Sequence, residues 1–204
     1  MTLEPGETVI RAYVRKAITL GLTRIEIPLP ESRPVVFPTS LDEALSRYPV
    51  IIGRPVEKMS QVDQGEYGIE TFYKIQIINV LYSEGHRKPC CGDLIKIPNQ
   101  AEPSTGEICL YTPGGTVTVD GIEIRQRIWT GELTIGQDYL LFLSQDLSEK
   151  VNMIYLGKEV IYKVDQNGLI DTSSVEPNAI TRDISSKCGN SVDSLKSYIK
   201  NSRN

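Results

Sequence analysis

Between about residues 49 and 170, apolar side chains recur at every second position in short runs, and the runs are separated by residues suited to tight turns. Such a period of two places alternate side chains on opposite faces of a strand, so this stretch can fold only as sheets. Val50 to Val56 reads as a strand interrupted at Gly53, where a bulge or sharp bend is expected. Gln61 to Glu70 reads as a polar loop, and Thr71 to Leu81 as a long strand. Tyr73, Ile75 and Ile77 share one face of that strand until Ile78 and Val80 make both faces apolar, which predicts cover on both sides at that end. Further strands are expected at Asp93–Ile97, Glu107–Tyr111, Thr116–Val119, Ile122–Arg125, Ile154–Leu156 and Val160–Val164. Asp120-Gly121 and Asn167-Gly168 are hairpin turn signals. Tyr139 to Leu143 is the most continuous apolar run in the chain and reads as a strand covered on both faces.

Helical signals flank this block. Val9, Tyr13, Ala17 and Leu20 recur at helical spacing with Val14 and Ile18 alongside, in a helix opened near Thr8 and closed by Gly21. Arg24 to Leu29 alternates like an edge strand because Pro28 has no N–H for a ladder. A proline-rich connector follows, and Ser40-Leu41-Asp42-Glu43 fits a capping box for a short helix. Residues 191–200 form a terminal helix with Val192, Leu195 and Ile199 on one stripe. The expected organisation is therefore an N-terminal arm over residues 1–39 and a main domain over 40–204. The expected class is mainly β, an antiparallel barrel or sandwich closed by a helix.

Composition removes several functions. Twenty-two basic against twenty-six acidic residues give a net charge of −4, which argues against a dedicated nucleic-acid binder. No run reaches the roughly 20 apolar residues of a membrane-spanning helix. The first residues lack the basic start and uninterrupted apolar run of a secretory signal. Two compartments stay open: a cytoplasmic chain, or one whose export signal lies upstream or has been removed. Four cysteines are too few and too unevenly spaced for a disulfide scaffold, so reduced thiols near a core are expected.

Catalytic motifs are scarce. No phosphate-cradling glycine loop and no nucleophile elbow occur. Pro113-Gly114-Gly115 could offer backbone N–H groups to an anion, but flanked by strands it reads as a plain turn. The single histidine, His86, stands close to Cys90 and Cys91, the one weak metal or nucleophile constellation in the chain. Adjacent cysteines converge poorly on one tetrahedral ion, so no metal and no cofactor are expected there. Asp165 to Asp171 superficially follows a calcium loop, yet its glycine falls where a hairpin needs it. Tyr73, Tyr111 and Trp129 could stack on bases or sugars, and Arg125 and Arg127 beside Trp129 form the chief aromatic-basic cluster.

A short helix, the Val50-Ile51-Ile52-Gly53 strand, the long strand from Tyr73 to Val80, Pro113-Gly114-Gly115-Thr116, Asp120-Gly121 and the Gly136-to-Leu143 run occur in this order. Over residues 40–170 the order resembles a group of uncharacterised bacterial proteins, often exported, whose domain is an OB-fold barrel. More distantly it is similar to the OB domain of tissue inhibitors of metalloproteinases and netrins. The resemblance implies a barrel and an exported or cell-envelope setting, and its motifs are structural. The zinc-chelating N-terminal cysteine of those inhibitors has no counterpart, because the first cysteine is Cys90. The reading that results is a non-catalytic binding or scaffolding module for a protein partner. Its alternatives are an oligonucleotide- or carbohydrate-binding barrel, a protease-inhibitor-like protein with another mechanism, and a cysteine-dependent enzyme on His86 with Cys90 or Cys91.

Overall fold

The computed structural model describes residues 2–28, 37–82, 106–128, 131–146, 151–153 and 160–202. Within them, antiparallel sheets dominate, and a few helices cover their faces. Helix α1 (Val9–Thr19) starts where Thr8 accepts a hydrogen bond from the Arg11 N–H. Its buried residues are Ile10, Ala12, Val14 and Ala17, while Ile18 and Leu20 are about 60 % exposed. The buried stripe is thus turned from the expected Val9-Tyr13-Ala17-Leu20 line. Polar contacts fix this rotation: the Ile10 N–H donates to the Glu66 carbonyl at 3.0 Å, and Arg11 bonds Asp120 at 2.7 Å.

Strand β1 (Arg24–Ile27) pairs in parallel with β6 (Ile122–Gln126), and β5 (Gly115–Val119) pairs antiparallel on its other side. The 1–39 region, expected as an arm, therefore contributes an edge strand and a covering helix to this three-stranded sheet. Ile10, Val14 and Ala17 pack there with Ile27, Ile122 and Ile124. Helix α2 (Leu41–Arg47) is capped by Ser40 as expected. Glu43, however, accepts from the Thr39 N–H and hydroxyl rather than closing the box on Ser40.

The larger sheet has the order β11-β10-β7-β2-β3-β4-β9-β8. Strands β2 (Val50–Val62) and β3 (Ile69–Tyr82) are longer than the sequence implies, leaving only residues 63–68 as the loop. The register shifts around Gly53, where a Cβ would stand 2.5 Å from an Ile75 methyl. Strand β4 (Glu107–Pro113) pairs with β3, and β9 (Val151–Met153) runs parallel to β4. Strand β7 (Asp138–Phe142) pairs with β2, and β8 (Ser144–Asp146) pairs with β9. A single residue, Leu143, joins β7 to β8 although they hold the third and eighth places in the sheet. The sheet must curve back on itself for one short link to reach both places. No ladder among the described residues closes it into a barrel.

Two cores use this sheet. Tyr139, Leu141 and Leu143 join Ile51, Tyr73, Ile75, Ile108 and Leu110 on one side. Leu140 and Phe142 join the helices on the other. Strand β7 is therefore covered on both faces, as its unbroken apolar run requires. Strand β10 (Tyr162–Val164) and the two-residue β11 (Ile170–Asp171) extend the sheet around a turn with Gly168 at φ 75°. In that turn Asp165 accepts from the Asn167 and Leu169 N–H groups at 2.8 Å each, a bonding that lowers its pKa and suits a hairpin. Two terminal helices close the second core. The expected one is α4 (Val192–Asn201), burying Val192, Leu195 and Ile199. The other, α3 (Ala179–Cys188), went unread, although Asn178 caps it, Ile180, Ile184 and Cys188 share one face, and Gly189 ends it at φ 56°.

The cover expected at the far end of β3 does not extend to both faces, since Ile78 is 45 % and Val80 42 % exposed. The segments expected as strands at Asp93–Ile97 and Ile154–Leu156 lie outside the described residues. None of the described helices is long and apolar enough to cross a membrane.

Candidate functional site

The Asp120-Gly121 turn sets the geometry of the small sheet. Both residues have positive φ, 50° and 79°, as a type I′ hairpin requires. Val119 then faces Ile122, and Val117 faces Ile124. Ile122, Ile124 and Gln126 consequently point to the core, while Glu123 and Arg125 point outward. The buried Gln126 anchors this strand to its surroundings: it accepts from the Ile69 N–H at 2.8 Å and donates to the Pro28 carbonyl at 2.9 Å.

At Gly114 the chain leaves the large sheet and enters the small one. Its φ is 97°, and a Cβ there would lie 2.2 Å from the Arg127 carbonyl oxygen. Gly115 is equally constrained, with the Thr71 and Ser60 hydroxyls 2.4 and 2.7 Å from the place a Cβ would occupy. Thr71 donates to the Gly114 carbonyl at 2.6 Å and shares a 2.7 Å bond with Ser60. The Gly114 N–H is already given to the Ile69 carbonyl at 2.7 Å, so it is not offered to an anion. These close approaches press the backbone of Arg127 against the sheet switch and fix where its side chain begins.

A cleft of about 450 Å³ opens here, between the outer face of the small sheet and the middle of β2. This lies within the roughly 300–1,000 Å³ common for ligand sites. Arg125, Arg127 and Lys58 bring positive charge to it, and Glu26 and Glu132 bring negative charge. Lys58 pairs with Glu132. Arg125 stands across the ladder from Glu26 on one side and Thr116 on the other, yet forms no ion pair with Glu26. Arg11, Arg15, Arg24, Arg47 and Arg54 each meet a carboxylate. Among the described residues, Arg125 and Arg127 meet none.

The structure thus brings together two of the residues singled out in the sequence, Arg125 and Arg127, and separates the others. Tyr73 is fully buried, with burial pushing its phenol up to about 12 and the Leu133 N–H donating to it at 3.2 Å. It is a core residue and presents no face on which a base or sugar could stack. Tyr111 lies half-buried against Phe72, their ring centroids 5.6 Å apart, in a cluster with Met59 and Cys109. Met59 and Lys58 are successive residues of β2 and point to opposite faces, so Tyr111 is across the sheet from the cleft. Trp129, His86, Cys90 and Cys91 lie outside the described residues.

Cys109 and Cys188 are unbridged and buried, and burial raises both thiols, that of Cys109 to about 12. Both are held as thiols at neutral pH, the unreactive form. Among the described residues, no three His, Cys, Asp or Glu side chains are placed to hold a metal ion. The polar cleft residues the sequence does not single out are Glu26, Lys58, Thr116, Gln126 and Glu132. Each is an ordinary polar residue on a strand or loop, and only the fold makes them neighbours. No protein-family model, curated protein or solved structure matches this chain.

Proposed function

We propose that this chain is a non-catalytic binding module on a barrel of the OB type, and that it meets a protein partner at the Arg125–Arg127 cleft. One observation carries the reading: two guanidiniums line one cleft and, among the described residues, neither forms an ion pair with a carboxylate, in a chain whose net charge is −4. Five other arginines are paired within the fold, whereas Arg125 and Arg127 line the cleft with no carboxylate partner among the described residues. Support for the barrel comes from strand order. Strands β2, β3, β4, β9 and β8 pair one with the next, and β7, joined to β8 through Leu143, pairs with β2. A five-stranded, partly open barrel has such an arrangement.

The oligonucleotide or carbohydrate alternative requires aromatic faces beside the arginines. Tyr73 and Tyr111 supply none there. The test is affinity capture from the native host with the wild-type chain and an Arg125→Glu/Arg127→Glu variant, with quantitative mass spectrometry of what is retained. The expected result is a set of proteins held by the wild type and lost from the variant. Identical protein sets would remove the cleft from the binding function. Retention of nucleic acid alone would replace the reading with the alternative.

A further inference from the structure

We infer that the cleft takes an extended, acidic segment of the partner, with two carboxylates two residues apart. This rests on the binding-module reading and names the chemistry that the module recognises. Arg125 is the outward residue near the end of β6, Arg127 follows just past the last strand residue, and both line the cleft. At about 3.3 Å per residue, their backbone origins are about 6.6 Å apart. An extended peptide repeats its same-face side chains at the same pitch, so carboxylates at positions i and i+2 meet the two guanidiniums in register. Each guanidinium is a planar fork of donors that matches a carboxylate with two parallel hydrogen bonds.

The opposite charges in the cleft narrow the ligand further. Glu26 lies in the same cleft, next to Arg125 across the ladder, without an ion pair among the described residues. Glu132 sits on the Lys58 side, where its charge is taken up. A polyphosphate would bring a charge to every position and be repelled by Glu26. A peptide whose acidic residues alternate with neutral ones avoids that repulsion. Gly131 brings no side chain into the cleft and leaves room for its backbone, and Thr116 lines the cleft as well.

The probe is a fluorescein-labelled peptide in which glutamate alternates with serine, titrated with the full chain at low ionic strength and read by anisotropy. A peptide with glutamine at each glutamate position is the neutral control. The expected result is saturable binding of the acidic peptide, at least tenfold weaker for the neutral one. Arg125→Ser/Arg127→Ser should weaken acidic-peptide binding at least tenfold with an unchanged circular dichroism spectrum. Arg24→Ser, on the same sheet but paired with Glu123, should leave it unchanged. Absence of binding up to millimolar peptide, or equal binding by the double variant, overturns the inference. Tighter binding of an oligothymidylate, or displacement of the peptide by inorganic phosphate at equal concentration, overturns it in favour of phosphate recognition. If the peptide fails while captured proteins still depend on the two arginines, the acidic-segment inference falls and the binding module stands. If both fail, both fall.

Discussion

Strands β6 and β7 are each five residues long, and their surroundings differ completely. Strand β7 is wedged between two cores, with Tyr139 and Leu141 in one and Leu140 and Phe142 in the other. Strand β6 gives Ile122 and Ile124 to a core on one face, and on the other it carries Glu123 and Arg125. A strand covered twice contributes stability and leaves nothing for a ligand to touch. A strand covered once holds its outward side chains on a rigid support while leaving them accessible. The smaller sheet therefore presents rigidly held polar side chains on one face, whereas the larger sheet is packed on both faces at β7.

The strongest way to break this comparison is Leu141→Ala. A fully buried leucine lost from β7 should cost about 2–5 kcal/mol in chemical denaturation. A cost below about 1 kcal/mol would show that the strand is not wedged as described. Next comes Gly114→Ala, which adds a Cβ at positive φ against the Arg127 carbonyl. It should destabilise the chain by about 1–3 kcal/mol and weaken acidic-peptide binding, because the start of the Arg127 side chain must shift. Normal stability together with normal binding would separate the sheet switch from the cleft.

Gln126→Leu removes both bonds of a buried amide and leaves the Ile69 N–H without its acceptor. About 1–3 kcal/mol should be lost, and a neutral outcome would mean that water takes the place of the amide. Arg125→Ser, on the outward face of the same strand, should change stability by no more than about 0.5 kcal/mol while still weakening the peptide complex. A large loss of stability there would reassign the arginine to the fold. The faintest effect belongs to Glu7, whose half-buried carboxylate is held down to about 2 by the Arg15 guanidinium and the Glu4 backbone. Because its folded pKa lies below the ordinary 4.5, its stabilising contribution is present above pH 4.5 and disappears as the pH falls towards 2. The melting temperatures of the wild type and Glu7→Gln should therefore differ at pH 6 and converge at pH 2; a difference that persists at pH 2 would assign the effect to packing.

Local chemistry made much of the sheet architecture legible. Asp120-Gly121 identified its hairpin because its backbone requirement is confined to two residues. The unbroken run at β7 announced cover on both faces for the same kind of reason. Where the rule was local but shared, reading failed: α1 has apolar residues on more than one side, and its rotation depends on Glu66 and Asp120, far away in sequence. Helix α3 has a cap, a stripe and a terminating glycine between Asn178 and Gly189, but its apolar stripe is sparser than the signals that mark α4. The site was half legible. Arg125 and Arg127 stand out by their nearness to Trp129 in sequence, whereas Lys58 and Glu26 reach the cleft only through the fold. Tyr73 shows the converse, since its alternation with Ile75 placed it on a face shared with core residues, and that face proved to be sealed.

The one-residue link at Leu143 has a consequence for how the large sheet comes apart. A hydrogen-bonded seam can open and re-form while the chain stays whole, but here the two ends of the curve are tethered by a peptide bond on either side of one buried leucine. Cutting the chain there, by a circular permutation with new termini at that residue, would leave every existing ladder formally intact and yet let the sheet uncurl. Such a permutant would report how much of the curvature is imposed by the covalent tether and how much by the packing of side chains inside it.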